Sequence, residues 1–402
     1  MNKPLELLSP AGDMERLNMA LLYGADAVYL AGRAFGMRAS TVNFSDEQLR
    51  AAVRLAHEKG AKVYVTCNTL PREDEIKLLP EYLEFLQDAG ADALIIADLG
   101  VMRLAKRYAP KLKRHVSTQL GVINSETANV LYDMGADTVV LARETPIEDI
   151  RKIRLSTPKE LRLEAFVHGA MCVSISGRCL LSNYLTGRDA NRGMCAQPCR
   201  WKYHLVEEKR PGEYFEITED GGTFIMNSRD MRMIEHIPEL IEAGIESFKI
   251  EGRMKSSYYA AVVTNAYRRA IDAAKAGESL DPIWLRETEM VSHRPYCTGF
   301  YFGDPGQHYA EASYFSDAEV AAIVKACDED GSAVLSQRNK FYKGDRLELL
   351  LPDQAPVEFT AEHMYDDEGA ELEDTRHAQM NIHIKLPCAA PKYAVIRKNL
   401  KK

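Results

Sequence analysis

The chain has 402 residues, 46% of them apolar and 27% charged, with a formal net charge of −8. That composition excludes a disordered chain, and no apolar run reaches the roughly 18–20 residues of a membrane span. The acidic balance argues against a protein that coats nucleic acid nonspecifically, while leaving room for a local basic site. The N-terminus, Met1-Asn-Lys-Pro4, lacks the basic-then-apolar layout of an export signal. A cytoplasmic protein with reduced thiols is therefore expected.

A short phrase recurs along the first 250 residues: Gly24-Ala-Asp-Ala-Val28, Gly60-Ala-Lys-Val-Tyr64, Gly90-Ala-Asp-Ala-Leu94, Gly135-Ala-Asp-Thr-Val139 and Gly244-Ile-Glu-Ser-Phe248. Each glycine follows an amphipathic segment and precedes an apolar run. The pattern predicts a helix stopped by glycine in a left-handed cap, then a buried parallel strand. Residues 45–59 show the helical half: Ser45 and Gln48 suit a capping box, and Leu49, Ala52, Val53 and Ala56 share one face. Eight strands are predicted: Leu5–Ser9, Ala27–Leu30, Lys62–Thr66, Ala93–Ala97, His115–Gln119, Thr138–Leu141, Leu163–Val167 and Ser247–Ile250. Eight strands alternating with helices fit an α/β fold of (β/α)8 TIM-barrel type. An open doubly wound sheet is the runner-up, disfavoured because no G-x-G-x-x-G follows the first strand.

In such a barrel the strand C-terminal ends carry the chemistry. Here they read Ser9-Pro-Ala-Gly12, Gly32-Arg33, Asn68, Asp98, Ser117-Thr-Gln119, Arg143-Glu144, His168-Gly169 and Glu251-Gly-Arg253. After the seventh strand comes a long insert with cysteines at Cys172, Cys179, Cys195 and Cys199, spaced C-x6-C-x15-C-x3-C. Four thiols in one excursion suit an iron–sulfur cluster or a structural zinc. The irregular spacing leans toward a cubane cluster without deciding it. Residues 170–202 also carry Arg178, Arg188, Arg192, Arg200 and Lys202 against one acid, Asp189. A hairpin (Tyr203–Glu207 with Tyr214–Thr218) and Asn227-Ser-Arg-Asp230, opening the seventh helix, complete the insert.

The domain division expected is a barrel over 1–277 with its insert at 169–226, a linker over 278–317 packed on the barrel, and a small β-barrel or sandwich over 318–402. Strands in the last part are predicted at Val320–Lys325, Ala333–Gln337, Asp345–Leu351, Val357–Met364, Ile382–Leu386 and Tyr393–Arg397, with an acidic loop at Asp366–Asp374.

Each candidate has a plain alternative. His168 reads as a ligand, a base or a polar strand end. Arg143 and Glu144 read as a functional or a structural pair. Arg178, Arg188 and Arg192 suit carboxylates or phosphates, or a solvated loop. Gln119 joins the catalytic candidates, and Asn68, Asn191, Asn227 and Arg253 the substrate-binding ones. No H-E-x-x-H, G-x-S-x-G or P-loop is present.

The run Glu164-x-Phe166-x-x-Gly169-Ala-Met-Cys172-x4-Gly177-x-Cys179-x-Leu181-Ser182 resembles the signature of the collagenase-like peptidase family U32. Leu8-Ser-Pro-Ala-Gly12, Leu185-Thr-Gly-Arg-Asp-Ala-Asn-Arg-Gly193 and Lys249-Ile-Glu-Gly-Arg-Met-Lys255 extend the likeness over nearly the whole chain. The chain is most similar to the branch that makes 5-hydroxyuridine at the tRNA wobble position. That resemblance implies a 4Fe-4S cluster on the four clustered cysteines, prephenate, a small dicarboxylate, as co-substrate, and the tRNA anticodon loop as partner. A protein partner and an oxygen donor do not follow from it. A peptidase and a non-catalytic RNA-binding protein are the rival readings.

Overall fold

The computed structural model describes residues 4–36, 43–172, 174–175, 178–201, 205–206, 214–215, 229–303, 305 and 315–400. They divide into two compact units. One holds Met1–Met14, Asp26–Met254 and Arg294–Tyr314; the other holds Glu15–Ala25, Lys255–His293 and Phe315–Lys402.

The first unit contains the barrel. Strands β1 (Glu6–Pro10), β2 (Ala27–Leu30), β3 (Lys62–Cys67), β4 (Ala93–Ile96), β5 (Lys113–Val116), β6 (Thr138–Val140) and β7 (Arg162–Ala170) run in sequence order. The hairpin β8 (Leu205–Val206) and β9 (Tyr214–Phe215) and the strand β10 (Asp230–Arg232) follow in the chain, before β11 (Ser247–Ile250). Parallel pairing of β11 with both β1 and β7 closes eight strands into a ring. The five glycines of the recurring phrase all have positive φ, from 75° at Gly60 to 104° at Gly135, a conformation that side chains with a Cβ resist. The helix Asp46–Glu58 has the expected reciprocal cap: Gln48 N–H donates to Ser45 Oγ, and Ser45 N–H to Gln48 Oε1. Its buried residues are Leu49, Ala52, Val53 and Ala56.

Two expectations about the barrel need correction. The fifth strand does not reach Gln119: it ends at Val116, and Thr118–Leu120 form a 3-10 turn capped by the Ser117 side chain. Asp230 opens a strand, not a helix. β10 pairs antiparallel with the end of β7 and parallel with β12 (Tyr296–Cys297), and Arg294 neutralises the buried Asp230 carboxylate with Nη2 at 2.7 Å. Within the stretch 278–317, residues 278–293 group with the C-terminal strands and 294–314 with the barrel strands.

A polar ladder fills the lower barrel. Glu6 accepts from Arg162 Nη1 at 2.7 Å and Tyr64 Oη at 2.8 Å, and Lys62 adds a contact at 3.2 Å. Burial raises the Glu6 pKa, but these cations and the phenol outweigh it and hold the carboxyl below its ordinary value. Ser247 Oγ lies 3.2 Å from both Glu6 and Glu164, and Lys249 Nζ donates to Glu164 at 2.7 Å. His115 is buried beside Tyr64, and desolvation pushes its pKa down to about 3, so the ring stays neutral.

The second unit carries an antiparallel sheet of β13 (Ala318–Cys327), β14 (Ser332–Gln337), β15 (Arg346–Leu350), β16 (Val357–Thr360), β17 (Met364–Tyr365), β18 (Asn381–Lys385) and β19 (Val395–Asn399), ordered β16-β15-β19-β13-β14-β18-β17. The predicted strand Val357–Met364 is two strands at opposite ends of this sheet. Tyr393 has φ of 74° and so belongs to the turn before β19. Arg397, 1% exposed, donates to both oxygens of Glu287 at 2.6 and 2.7 Å and to Glu348 at 2.8 Å.

Candidate active site at the barrel mouth

At the C-terminal ends of the strands lies a cavity of about 240 Å3. Its floor is Tyr29 of β2, Thr66 of β3, Ile95 of β4, Val140 of β6, Phe166 of β7 and Lys249 of β11. Its rim is Asn68, Gln119, Arg143, Glu144, Glu251 and Arg253, and its roof is the cysteine excursion. Cys172, Cys179, Cys195 and Cys199 all line it, and none is in a disulfide. By contrast Cys67, buried in β3, has its thiol pushed up to about 12 by desolvation.

The roof is fastened by Ser182. This residue is fully buried in the helix Leu181–Thr186, and its Oγ accepts from Ala196 N–H at 3.0 Å. That bond ties the segment after the first cysteine pair to the turn between the second pair. Gln197 takes a left-handed conformation, φ 57°, before Pro198 starts the 3-10 turn that carries Cys199. Backbone N–H groups donate to sulfur: Leu181 to Cys179 at 3.3 Å and Gln197 to Cys195 at 3.4 Å. Such bonds stabilise electron-rich sulfur and help set a cluster's potential. No three His, Cys, Asp or Glu side chains among the described residues form a set that could hold a single metal ion. A zinc site needs all its ligands around one ion, whereas a cubane binds each cysteine through a different iron. All four cysteines line one cavity, as the ligands of a shared group must.

The rim is pre-organised. Asn68 Nδ2 donates to Gln119 Oε1 at 2.9 Å, and Ser117 Oγ lies 3.3 Å from the same oxygen, which fixes the amide with its nitrogen as donor. Arg143 stacks over the Phe166 ring at 4.0 Å, donates to Ala170 carbonyl at 2.9 Å and stands 3.7 Å from Glu251. Arg253 donates to Thr66 Oγ1 at 3.1 Å. Lys249 Nζ sits 4.8 Å from the Tyr29 ring centre. β11 ends at Ile250, so Lys249 enters the cavity from the strand while Glu251 and Arg253 enter from the segment that follows it.

His168 does not line this cavity. Lys249 pairs with Phe166 but Ile250 pairs with His168, so Val167 is an extra residue in β7. The bulge flips the parity of the strand. It buries the imidazole, 1% exposed, with its ring 5.4 Å from Tyr296. Gly169, φ 109°, allows the close crossing that follows: a Cβ there would stand 2.3 Å from the Glu251 carbonyl oxygen.

Arg178 and Arg188 are exposed and do not line the cavity. Arg192 lines a second cavity and holds Glu75 with both guanidinium nitrogens, at 2.9 and 2.5 Å. Asn191 lies in a 3-10 turn whose side chain is outside the described residues, as is Asn227 altogether. The Arg192 hydrogen bond, then the Arg72 backbone N–H, hold the Glu75 carboxyl at about 2, below its ordinary 4.5. A depressed carboxyl pKa keeps the clamp complete above 4.5 and loses it as pH falls through about 2. Carboxyl carbon NMR should show that midpoint for Glu75, moving up toward the ordinary value in Arg192→Gln. A wild-type midpoint near 4.5 would contradict the clamp.

Residues 12–311 match the model of peptidase family U32, and residues 316–397 match that of the peptidase family U32 C-terminal domain. The chain belongs to peptidase family U32. Among U32 relatives, it is 39% identical to tRNA hydroxylation protein P1 of Bacillus subtilis, over 96% of this chain and 93% of that one. It is 34% identical to the 23S rRNA 5-hydroxycytidine C2501 synthase of Escherichia coli, over 90% of this chain and 56% of that one. A protein named collagenase in Porphyromonas gingivalis is 34% identical over 74% of this chain and 73% of its own.

Proposed function

We propose that this chain hydroxylates tRNA at C5 of the wobble uridine, a two-electron oxidation in which an oxygen-atom donor from solution supplies the oxygen and accepts the electrons while C5 loses its proton, and that Cys172, Cys179, Cys195 and Cys199 hold a 4Fe-4S cluster. The observation that carries this reading is that four cysteines and the cations Arg143, Lys249 and Arg253 line one cavity at a barrel mouth. The names of relatives that cover most of their length with this chain support the RNA substrate. When bound, the cluster supplies one-electron chemistry at the roof of the cavity.

The remaining roles belong to the chain's own groups. A pyrimidine splayed from a loop is read along its edge, and the Gln119 amide nitrogen is a donor suited to O4 of uridine. Arg143 and Arg253 take the carboxylates of a small dicarboxylate, prephenate by family resemblance, because planar guanidinium forks match them. Glu251, 3.7 Å from the Arg143 guanidinium, helps orient it, and Glu144 lines the same rim. His168, behind the bulge, has no part in this scheme, nor does a Cys172–His168 thiol dyad of peptidase type.

Nucleoside mass spectrometry of tRNA from a deletion strain without a paralogue tests the reading. 5-Hydroxyuridine and its derivatives should disappear and return with the wild-type gene. Arg253→Gln should restore it poorly, with activity on tRNA down ten- to a hundredfold, roughly 1–3 kcal/mol of charged hydrogen bonding. Unchanged tRNA, together with peptide cleavage that survives repurification and is lost in Arg253→Gln, would overturn hydroxylation in favour of a peptidase.

A further inference from the structure

A second cavity, of about 530 Å3, adjoins the first. Asn68 lines the first and Thr69 the second; Gly193 lines the first and Arg192 the second. Each pair is consecutive in the chain, so the two cavities share stretches of wall at Asn68-Thr69 and Arg192-Gly193.

Aromatic rings face this second space. Phe35 and Tyr82 have ring centres 5.4 Å apart, and Tyr82 and Phe85 are stacked at 6.4 Å. Phe35 has φ of 56°, a left-handed conformation that an aromatic residue adopts only when it is held there. The holding group is Thr69, whose N–H and Oγ1 both donate to the Phe35 carbonyl, at 3.2 and 3.1 Å. The Tyr82 hydroxyl is buried with no hydrogen-bond partner among the described residues. It presses on Gly32, where a Cβ would stand 2.4 Å from its oxygen. Burial pushes the phenol pKa well up, so it stays a donor. A strained backbone and an unsatisfied hydroxyl each cost stability. Concentrated at one wall, they point to a surface kept for binding.

Charge selects the ligand. Asp46, Glu75 and Glu81 line the cavity against Arg33 and Arg192, and Arg192 is already engaged by Glu75. A phosphate meets a wall that is negative on balance. A neutral base meets rings for its faces and carboxylates that accept from its N–H groups.

We propose that this second cavity takes an unstacked nucleobase flanking the modified nucleotide, stacked on Phe35 and Tyr82. The proposal rests on the RNA-hydroxylation reading and adds to it a subsite for the adjacent base. Base–aromatic stacking tolerates any base, so the subsite would fix the strand's path more than its sequence.

A stem–loop RNA carrying 2-aminopurine beside the target uridine tests this. Wild-type protein should quench its fluorescence on binding. Phe35→Leu, which keeps an apolar side chain but no ring, should lose most of the quench and raise KM for hydroxylation about tenfold with kcat kept. Phe85→Leu, at the outer end of the ring stack, should show a smaller loss and serves if Phe35→Leu does not fold. Tyr82→Phe keeps the ring and should keep the quench. Wild-type protein that hydroxylates the RNA without quenching, or leucine variants with quench and KM unchanged, would overturn the subsite. Quenching that is lost in Phe35→Leu, in a protein that never hydroxylates, supports the subsite and overturns the reaction instead.

Discussion

Purified without air, the protein should be brown and carry about four iron and four sulfide per chain. Cys179→Ala should lose both, together with all hydroxylation of tRNA, while binding of tRNA is retained. Cys179 is the informative position because its sulfur accepts the Leu181 N–H at the start of the helix that holds Ser182, and Ser182 fastens the second cysteine pair. Cys179→Ala removes a ligand and the acceptor of the Leu181 N–H, but it leaves the Ser182–Ala196 fastening in place. A colourless protein with one zinc would sink the cluster. Full hydroxylation by iron-free Cys179→Ala would sink its role in the reaction.

Lys249→Met should destabilise the barrel by about 3–5 kcal/mol, because it leaves the Glu164 carboxylate buried without its cation. The pair is 2.7 Å apart, with side chains only 6% and 0% exposed. Ser247 has one hydroxyl proton to share between Glu164 and Glu6, so it cannot replace an ammonium group. A loss of that size is a large part of the roughly 5–15 kcal/mol that holds a domain folded. Urea unfolding should show a lower midpoint for Lys249→Met and recovery of most of it in Lys249→Met with Glu164→Gln. Hydroxylation should stay at least a hundredfold down in the double variant, since the cavity floor still lacks its cation. A single variant as stable as wild type would mean that Glu164 is neutral in the folded protein. A fully active double variant would confine Lys249 to a structural part.

The barrel was legible because its grammar is local. A helix needs a stop, glycine supplies a left-handed one, and the buried strand that follows reads as an apolar run. Gly60, Gly90 and Gly135 each announce a strand within a few residues. The cysteine roof was legible for a similar reason, since density within one excursion needs no knowledge of what lies across the barrel. Gln119, Arg143 and Arg253, expected at the ends of strands, do line the cavity, although the strand before Gln119 stops earlier than its apolar pattern suggests.

Pairings across the chain were not legible. His168 looks like a mouth residue because it follows an apolar strand by one position. Whether it faces the cavity depends on a single inserted residue, Val167, and that insertion exists only relative to the register of β11. Arg192 looks like an anion ligand beside the cysteines, yet its partner Glu75 is 117 residues away. Arg397 satisfies Glu287 and Glu348 from 110 and 49 residues away, and none of the three stands out in the sequence.

Sequence alone determined the barrel's eight strands, their order, the closed ring, and the four thiols grouped in one excursion after the seventh strand. These follow from side-chain periodicity and backbone conformation, which act over a few residues at a time. Only the tertiary structure decided which charged groups face the cavity and which neutralise one another, and that a second, ring-lined cavity is bordered by residues next in sequence to those of the first. A strand's facing depends on its register with its neighbour, and a charge's role depends on the partner that desolvation forces upon it. Both are properties of residues brought together from distant parts of the chain.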